Sequence, residues 1–333
     1  MGSEQFFRIQ AILHVQLTGK IALTPSNREF WSLVAALATM VAWGMNFPFV
    51  KYVLEHLGVW PLMFVRFVTL PLLAFLLLAA VFRGRLARSR PRRADLPRFI
   101  AAGLIGHTAH IAIVMYGINL STAFSSSLVL TSGPLFTLVI LAALGVERLR
   151  ARQVAGTLLA FAGIVLFLAD KFAGGLSNAG VGDVLLLCGA FLFSLYTVLV
   201  RPLAERYGPL IVLAYTLLFG APPMVVFTLT AFLAAPMSAL TPWVWAGLFF
   251  TIVISSFFGW LMWTWVNTVR GVARSAPFQY LMPPIAGLVA WLTLDEAFTW
   301  LKLTGAAITM AGVAWAQFGG GAPRKETVQP DSG

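Results

Sequence analysis

The chain has 333 residues, of which 59% are hydrophobic and 11% charged, well below the roughly 25% charged residues of a soluble domain, so an integral membrane protein is indicated. Its formal charge of +11 does not point to nucleic acid, because the basic residues lie in short loops between apolar runs, where they orient a chain in a bilayer. The single cysteine, Cys188, excludes an internal disulfide and any CxxC or zinc spacing, and no Walker sequence is present to bind ATP.

Residues 1–29 are apolar but broken by Arg8, His14 and Lys20, and carry no small-residue cleavage site. They are expected to form a cytoplasmic extension, and Met1-Gly2 followed by Phe6 is a poor myristoylation signal. Ten apolar runs follow near 30–51, 60–82, 96–119, 121–145, 151–169, 181–202, 209–234, 242–267, 273–294 and 300–318. Each approaches the ~20 residues that a membrane helix needs, and continuous rather than alternating hydrophobicity favours helices over a β-barrel. Residues 319–333 form a polar tail. With the N-terminus in the cytoplasm, nineteen of the 23 basic residues fall on the inside, Lys51, Lys171 and Lys302 fall outside, and Arg66 lies within a span. That asymmetry predicts a multi-pass protein of the bacterial inner membrane with both termini cytoplasmic.

The run from Leu130 to Leu168 returns at Leu281 to Phe318. Pro134, Glu147, Gly156 and Gly163 are answered by Pro284, Glu296, Gly305 and Gly312, at offsets of 149 or 150. In the earlier part of each half, Trp43 answers Phe193, Asn46 answers Tyr196, Lys51 answers Arg201 and Ala123 answers Ala273, all at 150. A duplicated five-helix unit is predicted: a first repeat over 30–169 (helices 1–5) and a second over 181–318 (helices 6–10). Because five is odd, the second copy must enter the membrane from the opposite face. The expected fold is an all-α membrane protein of ten transmembrane helices in two inverted five-helix repeats, the architecture of alternating-access carriers.

Trp43-Gly44-Met45-Asn46-Phe47 with Lys51, Arg66-Phe67, and the two Pro…Glu…Gly…Gly stretches resemble the EamA type of the drug/metabolite transporter superfamily. The resemblance covers roughly residues 30–318. It implies ten helices, inverted repeats, cytoplasmic termini and export of amino acids, related metabolites or toxic compounds. The first half is similar to amino-acid-metabolite exporters that handle cysteine and O-acetylserine. The second elbow, Asp295-Glu296-Ala297-Phe298, departs from the first by lacking the basic residue that Arg148 supplies.

Candidate solute-binding residues are Trp43, Asn46, Arg66, His110, Tyr196, Trp263, Gln279 and Tyr280. Asn46, beside Gly44 and before Pro48, either lines a cavity or ties two helices together. Trp43 is a cavity wall or a lipid contact. Arg66 either binds a carboxylate or satisfies carbonyls near the outer interface. His107 and His110 share a helix face, as cavity or packing residues. With no partner at depth they are not a metal site. Trp263 is a stacking surface or an interfacial anchor. Pro48, Pro134, Pro283 and Pro284 are expected helix breaks or hinges. Gly156, Ala160, Gly163, Gly305 and Gly312 form small-residue packing faces.

The twelve acidic residues all fall in loops or at span ends, which argues against a cationic-drug antiporter and for a neutral or zwitterionic solute. The expected function is a secondary carrier exporting amino acids or similar metabolites, with no cofactor, no catalytic residues and partners limited to a small solute and the lipid bilayer. Drug, toxic-compound or sugar export remains an alternative, a membrane enzyme a weaker one, and a homodimer stays open. Asn46→Ala and Tyr196→Ala are expected to reduce transport while leaving expression intact.

Overall fold

The computed structural model describes residues 25–83, 89–144, 151–172, 178–271, 275–296 and 298–318, and every regular element among them is helical. The first half contains α1 (Pro25–Leu57), α2 (Val59–Val81), α3 (Arg93–Leu120), α4 (Ala123–Ala143) and α5 (Ala151–Phe172). The second contains α6 (Asn178–Tyr207), α7 (Pro209–Leu233), α8 (Pro242–Arg270), α9 (Met282–Leu294) and α10 (Trp300–Phe318). Each falls on one of the apolar runs. Seven, α1–α4 and α6–α8, are long and apolar enough to cross a membrane; Val154–Phe167 and Phe278–Leu294 are shorter apolar helices. The outer surface suits lipid: Trp300, Trp243, Val226 and Leu233 are 86, 77, 76 and 73% exposed, an apolar face that water would not tolerate as a continuous patch.

Several details depart from the expectations. α1 begins at Pro25 and ends at Leu57, so it starts before the apolar run at 30 and continues past that run's end at Lys51. α1 also runs through Pro48 without interruption, so no helix break occurs there. α4 is interrupted at Thr131-Ser132, after which Pro134 sits in the first turn of its second piece. A 3₁₀ turn, Ala276–Leu281, precedes α9, whose first turn carries Pro283 and Pro284. A proline in a first turn lacks an N–H that would have no partner there anyway. Residues 1–24, Glu147 and Arg148 of the first elbow, residues 173–177, Ala273, Arg274 and the residues from 319 lie outside the described residues.

The two halves match in backbone as well as in sequence. α1 ends at Gly58 and α6 at Gly208, with φ/ψ of 79°/171° and 81°/161°. That region is open essentially to glycine alone. Gly58→Ala and Gly208→Ala should each cost about 1–3 kcal/mol, by similar amounts, as read from thermal unfolding in detergent. Both α3 and α8 contain π-helical turns, at Gly103–Ala109 and Phe250–Phe258. In α8 the Ser256 hydroxyl reaches back five residues to donate to the Thr251 carbonyl (2.6 Å).

The packing pairs have the same correspondence. α3 lies on α6 as α8 lies on α1, α4 lies on α6 as α9 lies on α1, and α2–α7, α4–α9 and α5–α10 pair with their own counterparts. Exchanging the first five helices for the last five maps these pairs onto themselves. The α5–α10 seam is held at backbone distance by its small residues: a Cβ on Gly305 would fall 2.6 Å from the Phe167 nitrogen, and one on Gly312 would fall 2.8 Å from the Gly156 carbonyl oxygen.

Candidate functional site

α1, α3, α6 and α8 converge on a layer of aromatic rings. Trp43 meets Phe193 (6.3 Å between centroids) and Trp263 (5.7 Å). Trp260 meets Phe193 (5.7 Å), Tyr196 (5.2 Å), His107 (4.8 Å) and His110 (6.2 Å). Trp43 and Phe193 are counterparts at the repeat offset of 150, and so are His110 and Trp260. Each pair of counterparts meets across the layer.

A cavity lies on each side of this layer. The first, about 200 Å³, is lined by Tyr196, Thr197, Arg201, Trp260, Trp263, Thr264, Asn267, Thr268 and Gly271, among others. The second, about 100 Å³, is lined by Trp43, Asn46, Phe47, Arg66, His110, Val114, Ile118, Phe193, Ser255, Ser256, Trp260 and Gln279, among others. Phe193 and Trp260 belong to both walls. Subtracting 150 from Tyr196, Thr197, Trp260, Thr264 and Thr268 gives Asn46, Phe47, His110, Val114 and Ile118, so the cavities are counterparts of one another.

Five of the eight candidate residues therefore gather in the second cavity: Trp43, Asn46, Arg66, His110 and Gln279. Tyr196 and Trp263 line the first. Tyr280 lines neither; it packs with Leu135, Ala160 and Val313 toward the α5–α10 seam. His107 is buried behind the aromatic layer, its Nε2 3.1 Å from the Thr216 hydroxyl.

The polar groups of the second cavity are sharply defined. Arg66 is buried at 4% exposure, and its Nε and Nη1 have no hydrogen-bond partner. The Oδ1 of Asn46 is buried and equally unanswered. His110 donates from Nδ1 to the Gly189 carbonyl (2.9 Å), which fixes the ring and leaves Nε2 as the acceptor of the neutral form. Trp43 donates from Nε1 to the Ser255 carbonyl (2.9 Å). Among the described lining residues there is no carboxylate. A buried guanidinium with two unpartnered nitrogens, lining the same cavity as an unpartnered acceptor, is costly to keep in an apolar interior. A solute carrying a carboxylate and an N–H donor would answer both groups.

One acidic residue is deeper than expected. Asp183 lies within α6, is fully buried, and accepts a hydrogen bond from the Ser121 hydroxyl. Trp260, Phe193 and Ser255 were not legible as site residues from composition. The offset linking His110 to Trp260 was the available signal.

These features define a multi-pass membrane protein of the transporter class, with a polar hollow at the meeting of its two halves. The EamA-like transporter family profile matches residues 30–169 and again 180–317. The chain belongs to the EamA-like transporter family. A relative from Streptantibioticus cattleyicolor, named "Probable terminal-alkyne amino-acid exporter", is 29% identical over 86% of this chain and 92% of its own. An Escherichia coli relative named "Probable amino-acid metabolite efflux pump" is 27% identical over 86% of this chain and 94% of its own. A crystal structure superposes with a TM-score of 0.58 over 90% of this chain and 99% of its own, at 19% identity, which shows a shared fold. The family and these relatives are transporters rather than enzymes.

Proposed function

We propose that this transporter exports amino acids or closely related zwitterionic metabolites across the bacterial inner membrane, with both termini cytoplasmic. Ten transmembrane helices in two inverted five-helix repeats, residues 30–169 and 181–318, would expose the central cavities to each side in turn. The match of the family profile to each half and the self-mapping of the helix pairs support this architecture. The carrying observation for the solute is the unanswered Arg66 guanidinium facing the same cavity as the Asn46 acceptor. Arg66 would hold the carboxylate in a charge-assisted pair, and Asn46 would accept from the amino group.

The second cavity has no carboxylate among its described lining residues, which disfavours a bare cation there; in the larger cavity Glu205 is paired with Arg201. A cavity of about 100 Å³ falls below the roughly 300–1,000 Å³ of drug-sized sites. The names of the two relatives agree in solute class. Trp43, His110, Gln279, Tyr196 and Trp263 would form the walls of the route.

Flux of a panel of radiolabelled amino acids into proteoliposomes of the pure protein tests this reading. At least one amino acid should be carried, and its carboxamide and decarboxylated amine should compete at least about tenfold more weakly, since each loses the charged partner of Arg66. Equal competition by the amide would exclude a carboxylate site.

A further inference from the structure

On one side of the aromatic layer α1 is fastened to the end of α3. The Lys51 ammonium donates to the carbonyls of Asn119 (2.8 Å), Ser121 (2.9 Å) and Ile118 (3.4 Å), at the C-terminal end of α3. A cation placed on the last carbonyls of a helix satisfies groups with no intrahelical partner and meets the negative end of the helix dipole. The next helix is held by the opposite charge. The Glu296 carboxylate accepts from the backbone N–H groups of Ala123 (2.6 Å) and Phe124 (3.2 Å), the first residues of α4. The α3–α4 turn is thus clamped from both ends, and Ser121 also bonds Asp183 at the start of α6.

The other side is different. The counterpart of Lys51 is Arg201, and the counterparts of Ile118, Asn119 and Ser121 are Thr268, Val269 and Gly271. Arg201, Thr268 and Gly271 all line the larger cavity. Among the described residues Arg201 bonds only Glu205, one turn along its own helix (3.2 Å), and its side chain is half exposed. The end of α6 is tied instead to α3, where Arg206 meets both Asp95 oxygens (2.8 and 3.0 Å). α6 therefore stands apart from the end of α8, and the larger cavity lies between them.

We infer that Lys51 and Arg201 are alternating latches: Lys51 on the α3 carbonyls closes one end of the path in the state seen here, and Arg201 on the carbonyls of Thr268, Val269 and Gly271 closes the other end in the opposite state. Both are positioning residues that set which cavity is open. The inversion carries the inference. Two halves that exchange conformations must exchange the contacts that belong to each conformation, so a latch made once must be remade at its counterpart. The inference rests on the alternating-access reading above.

Sidedness of labelling tests it. In the full chain with Cys188→Ser, single reporters are placed in the two cavities at the counterpart positions, Val114→Cys and Thr264→Cys. A membrane-impermeant maleimide is then applied to either face of sealed vesicles. Lys51→Ala should raise the labelling rate at Val114→Cys and lower it at Thr264→Cys, changing the ratio of the two rates by about tenfold, the weight of one hydrogen bond to a charged group. Arg201→Ala should shift both in the reverse directions, and the double variant should return toward the unaltered pattern. Lys51→Arg should keep it.

A structural role for Lys51 would not produce opposite shifts at the two reporters. If Lys51→Ala fails to assemble, the half-exposed Arg201 decides, and unchanged labelling in Arg201→Ala overturns the latch. Unchanged labelling with solute flux intact in the parent would remove the latch and leave the transport function standing. A parent that neither carries amino acids nor labels from opposite faces at the two reporters would remove both.

Discussion

Arg66→Leu should abolish amino-acid transport and at the same time make the protein more stable. The two effects share one cause. The guanidinium is buried, and two of its nitrogens have no partner. Holding a charge there without answering hydrogen bonds costs several kcal/mol, and replacing a buried charge by an apolar side chain of similar volume is commonly stabilising by about 1–4 kcal/mol. The same substitution removes the group that would pair with a solute carboxylate, a loss of about 2–5 kcal/mol for a buried charge pair, or roughly 30-fold or more in affinity. Thermal unfolding in detergent and flux in proteoliposomes read the two effects separately. Arg66→Lys keeps the charge but loses the planar fork, and should retain a small part of the flux. A Leu variant that still transports, or one that is destabilised, would mark Arg66 as a structural residue.

Gly305→Leu should disrupt assembly more severely than any single substitution in the cavities. A Cβ at this position would stand 2.6 Å from the Phe167 nitrogen and 2.8 Å from its Cα. Those are backbone atoms of α5 and cannot rotate aside. The helices would have to separate along a seam that also depends on Gly163 against Thr309 and Gly312 against Ala160. Overpacking of this kind typically costs about 1–3 kcal/mol for a methylene or two, and more where backbone must move. In lipid, close backbone approach is itself the main source of helix association, so the loss is not offset by burying the larger side chain. Loss of monodisperse protein after solubilisation, with Gly305→Ala intermediate, is the expected result. A Leu variant that melts within a degree or two of the parent would show that this seam is not tightly packed.

Much of the architecture was readable along the chain. Every helix lies on an apolar run, because in a bilayer each backbone polar group must be satisfied within its own segment. Their ends were less legible. α1 outlasts its apolar run by more than a turn, and Lys51, where that run ends, donates to carbonyls of a neighbouring helix. Pro48 shows a second limit: a residue that usually bends a helix is carried inside a continuous one by the packing around it.

The candidate residues divide along the same line. Asn46 and Arg66 stood out as polar side chains in an apolar context, and that signal is local. Tyr280 stood out in the same way, yet it points to the α5–α10 seam, since adjacent residues of a 3₁₀ turn face different neighbours. Phe193 and Trp260 gave no local signal at all, because an aromatic in a membrane helix is ordinary.

The sequence by itself determined the helical, membrane-embedded class of this protein and offered the offset that pairs positions of one half with the other, because hydrophobic length and a fixed offset are properties of a string. The tertiary structure decided which counterparts meet at the centre, which polar groups are left unanswered in a cavity, and which of the two ends is fastened. Those depend on where side chains from helices distant in sequence come to rest, and on which hydrogen bonds they find there.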